Sequence, residues 1–105
     1  INGCANITGG GLQDNIVRIL PEKLSAKIDL NKIKIQPIFN WLKNNGVNDK
    51  EMMNTFNCGV GFCLIIDKKY LKIVQKSFSK NYKPYVIGKI IKAKKKYMPN
   101  GEINW

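Results

Sequence analysis

Three consecutive glycines, Gly9-Gly10-Gly11, stand between a short apolar lead, Gly3-Cys4-Ala5-Asn6-Ile7, and a run with helical spacing. Glycine reaches backbone dihedrals closed to other residues, so the triplet breaks the regular structure on its N-terminal side. Beyond it Leu12, Ile16 and Ile19 or Leu20 fall at i, i+4 and i+7 or i+8, one apolar stripe of a helix, and Pro21 closes that helix. The junction is also a candidate binding feature. Glycines admit a ligand without interference from a Cβ, and the first turn of a helix presents unpaired N–H groups and a partial positive charge. A phosphate is the natural occupant, with the Thr8 hydroxyl and the Asn6 side chain adding neutral hydrogen bonds. A turn that only joins strand to helix accounts for the same residues, because three glycines match neither a Walker loop nor a complete dinucleotide fingerprint.

The rest of the chain alternates between the two periodicities. Residues 24–30 alternate apolar and polar side chains and predict a strand with one buried face. Pro37 suits the first turn of a helix through Ile38-Phe39-Asn40-Trp41-Leu42, which Asn45-Gly46 ends. Asn48-Asp49-Lys50-Glu51 has the form of a capping box and predicts a short helix to about Asn54. Residues 59–66 are the strongest strand candidate, residues 68–79 restore helical spacing through Leu71, Val74 and Phe78, and residues 84–93 form another strand region. A turn at Pro99-Asn100-Gly101 is expected to lead into a last strand over 102–105. The predicted class is α+β (mixed α/β), a mixed sheet with helices packed on it. At 105 residues the chain has room for one small domain spanning 1–105. It opens on Ile1-Asn2-Gly3 without an initiator Met and is expected to be a cut piece of a longer polypeptide.

Charge and cysteine content narrow the function classes. Lys and Arg total 18 against 7 Asp and Glu, a net charge of +11, yet Arg18 is the only guanidinium. Base-reading and phosphate-clamping surfaces favour that planar, bidentate group, so the lysines, which accompany many Asn and Ile, fit a compositional bias better than a nucleic-acid partner. The lysine-rich residues 92–96 read as a solvated edge that discourages strand-to-strand pairing. Cys4, Cys58 and Cys63 make an odd count without zinc-site spacing, and His is absent. No metal site and no disulfide scaffold are expected, and a reducing cytoplasm fits best. The most apolar run, Val60-Gly61-Phe62-Cys63-Leu64-Ile65-Ile66, is far shorter than the roughly 20 residues of a membrane-spanning helix, so no membrane partner is expected.

A second candidate feature is Thr55-Phe56-Asn57-Cys58-Gly59-Val60-Gly61, which enters the strongest strand. Two glycines there mark a bulge or a close approach of backbone or ligand, and Asn57 can both donate and accept hydrogen bonds. Asn57 satisfying only its own loop is an equal reading of the same residues. No Ser-His-Asp, Cys-His or metal constellation supports an independent enzyme, and a general base here would be a carboxylate or Lys.

Taken in order, these segments carry a resemblance. Ala5-Asn6-Ile7-Thr8-Gly9-Gly10-Gly11-Leu12 with Asn15-Ile16 and Arg18 to Pro21 resembles the A-H-I-T-G-G-G-L and E-N-I-P-R-V-L-P block of the aminoimidazole ribonucleotide synthetases. Phe39-Asn40-Trp41-Leu42 and Glu51-Met52 through Thr55-Phe56-Asn57-Cys58-Gly59-Val60-Gly61 are similar to that family's F-N-W-L and E-M-x-x-T-F-N-x-G-x-G blocks, at similar spacing. Val17 replaces the Pro of the first block, Asp14 keeps the charge of its Glu, and Arg18 matches its Arg. Asn6 stands where many members have His, so a proton-transfer role of that His does not carry over.

The resemblance implies the carboxy-terminal part of a purine-biosynthesis ligase that turns formylglycinamidine ribonucleotide and ATP into aminoimidazole ribonucleotide, ADP and phosphate. It implies a homodimeric, cytoplasmic parent whose missing amino-terminal domain binds most of the ATP and magnesium, a fragment inactive by itself, and a phosphorylated small-molecule substrate. Asn6, Thr8, Gly9, Gly10, Gly11 and Asn57 are the substrate-side residues it suggests, with no catalytic residue assigned. A fragment of a related superfamily enzyme such as formylglycinamidine synthase is the alternative, and a basic nucleic-acid-binding module using Tyr82, Tyr85 and Tyr97 a more distant one.

Overall fold

A computed structural model describes residues 1–105. The lead forms β1 (Gly3–Asn6), the glycine turn opens α1 (Gly11–Val17), and β2 (Leu24–Asp29) follows. Then come α2 (Pro37–Asn44), α3 (Asp49–Thr55), β3 (Phe62–Ile65), α4 (Leu71–Lys76), β4 (Gly88–Lys92) and β5 (Tyr97–Asn100), with short 3-10 turns at Leu30–Lys32, Lys68–Tyr70 and Lys80–Tyr82. The class is α+β, as the patterning predicts.

The strands form two sheets. β1 and β3 pair antiparallel, with Asn6 opposite Phe62 and Gly3 opposite Ile65. In the second sheet β2 is central, antiparallel to β4 and parallel to β5. The mixed sheet is therefore three strands wide. The core gathers Ile7, Leu12, Ile16 and Leu20 from the first third of the chain, Ala26, Ile28 and Ile33 from the region of β2, and Val60, Cys63 and Tyr97 from later in the sequence. The apolar stripe of α1 and the inward face of β2 thus share one interior, as their periodicities require.

Local signals account for the two middle helices. Pro37 occupies the first turn of α2, and Gly46, at φ 101°, takes the left-handed conformation just beyond its end. Asn48 caps α3, its side-chain oxygen accepting from the Glu51 N–H at 2.9 Å. Lys43, in the last turn of α2, pairs with Asp49 in the first turn of α3, and the bonded ammonium holds the Asp49 carboxyl below its ordinary range. The pair is solvated and contributes little to stability.

Several expectations are corrected. The last strand is Tyr97–Asn100, and residues 102–105 form none. The turn signal at Gly101 is real, at φ 75°, but it follows the strand. Tyr97 is buried beside Ala26 in the parallel register, and Pro99 is tolerated because β5 lies at the sheet edge. The tail is held by side chains instead: Asn31 Oδ1 accepts from the Glu102 N–H at 3.2 Å, and the Lys43 ammonium lies 5.5 Å from the centre of the Trp105 ring.

β2 is buried on both faces at its start, because Ser25 is as inaccessible as Ala26, and the Ser25 hydroxyl has no hydrogen-bond partner. From Ala26 onward the strand keeps the expected alternation, with Lys27 exposed between the buried Ala26 and Ile28. β3 begins only at Phe62, since Cys58 and Gly59 take positive φ and turn the chain. β4 is likewise shorter than its apolar run. α4 is a six-residue helix with no buried residue, and Phe78 lies exposed beyond it. In the lysine-rich run, Lys96 is not simply solvated: its ammonium donates at 3.0 Å to the Leu20 carbonyl, in the turn that follows α1.

Candidate functional site

The two segments singled out in the sequence meet at one end of the β1–β3 pair. The Ile7 N–H donates to the Gly61 carbonyl at 2.9 Å, extending the ladder one step past Asn6 and Phe62. That bond sets the glycine turn after β1 beside the Asn57–Gly61 turn before β3, although some 50 residues separate them. Asn6 is exposed at the end of β1, and Thr8 and Gly9 are exposed just beyond it. Asn57 is half-buried, its side-chain oxygen accepting from the Gly59 N–H at 2.9 Å and its carbonyl from the Val60 N–H at 2.9 Å. Its amide nitrogen lies 4.0 Å from where a Gly61 side chain would begin.

The three glycines have three different surroundings. A Cβ at Gly9 would meet nothing within 4 Å. Gly10, at φ 96°, caps α1 without a side-chain bond, and a Cβ there would stand 2.7 Å from the Asp14 carboxylate. Gly11, at φ 71°, is buried so closely against α3 that a Cβ would fall 1.8 Å from the Met53 carbonyl oxygen. Exposure to a ligand therefore belongs to Thr8, Gly9 and the outer side of Gly10, while Gly11 joins α1 to α3. A bulky residue at Gly10 would disturb stability as well as affinity, so Gly9 is the position at which the two separate.

The turn is organised by Asn15, which the sequence placed only as part of a family block. Asn15 is 5% exposed, and its amide nitrogen donates to the carbonyls of Thr8 (3.3 Å), Gly9 (3.3 Å) and Gly11 (2.7 Å). Its oxygen accepts from the Thr8 hydroxyl at 3.4 Å and from the Arg18 guanidinium at 3.5 Å. The available signal was a polar residue four positions after the last glycine, next to the apolar stripe of α1. The N–H groups of Thr8, Gly9 and Gly10 find no acceptor within the chain. Asp14 and Arg18 bring opposite charges to the same short helix.

Cys63 lies beneath this end of the sheet, and Cys58 is buried against α3, its thiol donating to the Met52 carbonyl at 3.4 Å. Burial pushes both thiols up to about 11, so neither is a nucleophile at neutral pH. No three His, Cys, Asp or Glu side chains gather as a metal site, and no helix is long and apolar enough to cross a membrane.

Fold and site together define an α+β domain whose two sequence-distant turns share a rim of free backbone amides and neutral side-chain amides. The chain belongs to the family described as AIR synthase related protein, C-terminal domain, whose model matches residues 1–98. This bears out the resemblance carried by the three sequence blocks. The chain is 47% identical over 95 residues to the trifunctional purine biosynthetic protein adenosine-3 of Chironomus tentans, covering 90% of this chain and 7% of that protein. It is 41% identical to the phosphoribosylformylglycinamidine cyclo-ligase of Prochlorococcus marinus (strain NATL2A) and 38% identical to that of Synechococcus sp. (strain CC9902), in each case over 89% of this chain. The chain spans 28% of the length of both cyclo-ligases.

Proposed function

We propose that these residues are the carboxy-terminal part of an ATP-dependent cyclo-ligase of purine biosynthesis, converting formylglycinamidine ribonucleotide and ATP into aminoimidazole ribonucleotide, ADP and phosphate. The observation that carries the reading is the family match over residues 1–98, reinforced by relatives named for that ligase. Those names favour it over formylglycinamidine synthase. The parent works in the cytoplasm as a homodimer.

Within the domain, Asn6, Thr8, Gly9, Gly10 and Asn57 face the phosphorylated substrate, and Gly11 holds their turn against α3. Amide N–H groups and neutral side chains suit an anion that must be bound and released, because they stabilise charge without a fixed counter-ion. Asn6 and Asn57 orient groups by hydrogen bonding and move no proton. ATP and magnesium belong mainly to the amino-terminal domain of the parent. The side chains of this chain do not fit magnesium, since its acidic residues form no cluster.

The test replaces the matched 95 residues of the Prochlorococcus marinus cyclo-ligase with those of this chain. ADP release that requires both ATP and the ribonucleotide is expected from the chimaera and not from the isolated chain. A chimaera that melts like the parent enzyme yet shows no turnover, or turnover by the chain alone, would refute the reading.

A further inference from the structure

We infer that Asn15 is a positioning residue for the proposed reaction: by holding the carbonyls of the glycine turn inward it aims the Gly9 and Gly10 N–H groups outward, at the substrate. The inference rests on the functional reading above and assigns to Asn15 no contact with substrate.

The argument begins with what an ordinary helix start requires. The first N–H groups of a helix lack partners, and a capping side chain usually accepts from them. Here the cap position is glycine and makes no side-chain bond. Asn15 instead donates, from within the helix, to carbonyls of the turn. Acceptors are thereby satisfied and donors left free, the reverse of a cap that serves only stability.

Peptide geometry turns this into an orientation. Across a trans peptide the C=O and the following N–H point in opposite directions. Drawing the Thr8 and Gly9 carbonyls toward a buried amide therefore sends the Gly9 and Gly10 N–H groups the other way. Neither finds an acceptor within the chain, and Gly9 has open space around it. Glycine-rich peptides flip readily, because both signs of φ are open to them. Asn15 is what opposes the flip. Its oxygen is in turn held by the Thr8 hydroxyl and Arg18, which fixes the amide the right way round. A side chain this deeply buried, with every polar atom engaged, has little freedom to reorient.

Asn15→Ser separates positioning from folding. A serine hydroxyl donates to the carbonyl four residues earlier, preserving the short bond to Gly11 and losing the two to Thr8 and Gly9. In the complete chimaeric enzyme the KM for the ribonucleotide should rise about tenfold, because the Gly9 and Gly10 N–H groups are no longer held toward it and bind it more weakly. The KM for ATP should stay close to wild type, while the melting temperature falls only by the several degrees that two lost hydrogen bonds within the chain account for. A second readout needs no activity: in the 105-residue chain the Gly9 and Gly10 amide NMR signals should shift and broaden, while those of Ala26 and Ile28 stay in place. An unchanged ribonucleotide KM with a lowered melting temperature, or unaltered glycine signals, overturns the inference. Absence of turnover in the unsubstituted chimaera would refute the cyclo-ligase reading, and the glycine signals alone would then decide the role of Asn15.

Discussion

Gly11→Ala tests the joint between the glycine turn and the rest of the domain. The substitution adds one methyl group, yet it violates two constraints at once. At φ 71° an alanine sits in the left-handed region, at a cost of roughly 1–2 kcal/mol. Its Cβ would also stand 1.8 Å from the Met53 carbonyl oxygen and 3.2 Å from that of Phe56. Both are backbone atoms and cannot swing aside, so α1 and α3 must part, which adds about 1–3 kcal/mol of overpacking. The sum, roughly 2–5 kcal/mol, is a large share of the ~5–15 kcal/mol that keeps a small domain folded. At about 4–8 °C per kcal/mol the melting temperature should fall by more than ~8 °C. Gly9→Ala, with open space and no positive φ, serves as the control and should melt within ~3 °C of wild type. Thermal unfolding of the two variants by circular dichroism decides the matter. If Gly11→Ala melted with the control, α1 and α3 would not be in backbone contact at this residue, and the organisation of the turn described above would be wrong.

Asn48→Ala removes the cap on α3 and should cost about 1 kcal/mol, seen as a melting temperature lower by roughly 4–8 °C; no change would mean the bond to the Glu51 N–H is not formed. Stability should also fall in alkali. Cys58 and Cys63 are raised from 9.0 to about 11 and Tyr97 from 10.0 to about 12, so the unfolded chain releases these protons first. Their contribution is complete below pH 9 and is lost as pH climbs through 9–11 for the thiols and 10–12 for Tyr97; urea midpoints that hold level to pH 11 would contradict the burial. Finally, Phe62, Trp41 and Ile73 are each about 60% exposed, and such uncovered apolar side chains should bind hydrophobic dye and favour self-association; a strictly monomeric chain that binds none would count against it.

Much of the domain was legible residue by residue. Pro37, Gly46 and the Asn48–Glu51 pair marked the bounds of two helices, because capping and termination are decided within one turn of backbone. The stripe of Leu12, Ile16 and Leu20 and the alternation through Ala26 and Ile28 named core residues, because regular periodicity records which face must leave water. The ordered blocks around Gly9–Gly11, Phe39–Leu42 and Asn57–Gly61 carried the family. What remained hidden involves partners far apart in the chain. Nothing in the run of β2 says that β4 lies antiparallel on one side and β5 parallel on the other, since strand pairing satisfies backbone groups common to every sequence. Pro99 pointed locally to a turn, and only the burial of Tyr97 against Ala26 made its neighbourhood an edge strand. Three glycines look alike in sequence. They differ in the folded chain because α3 is pressed against one, Asp14 flanks the second and solvent surrounds the third, and because a buried Asn15 turns their carbonyls inward; such neighbours exist only once distant segments have packed.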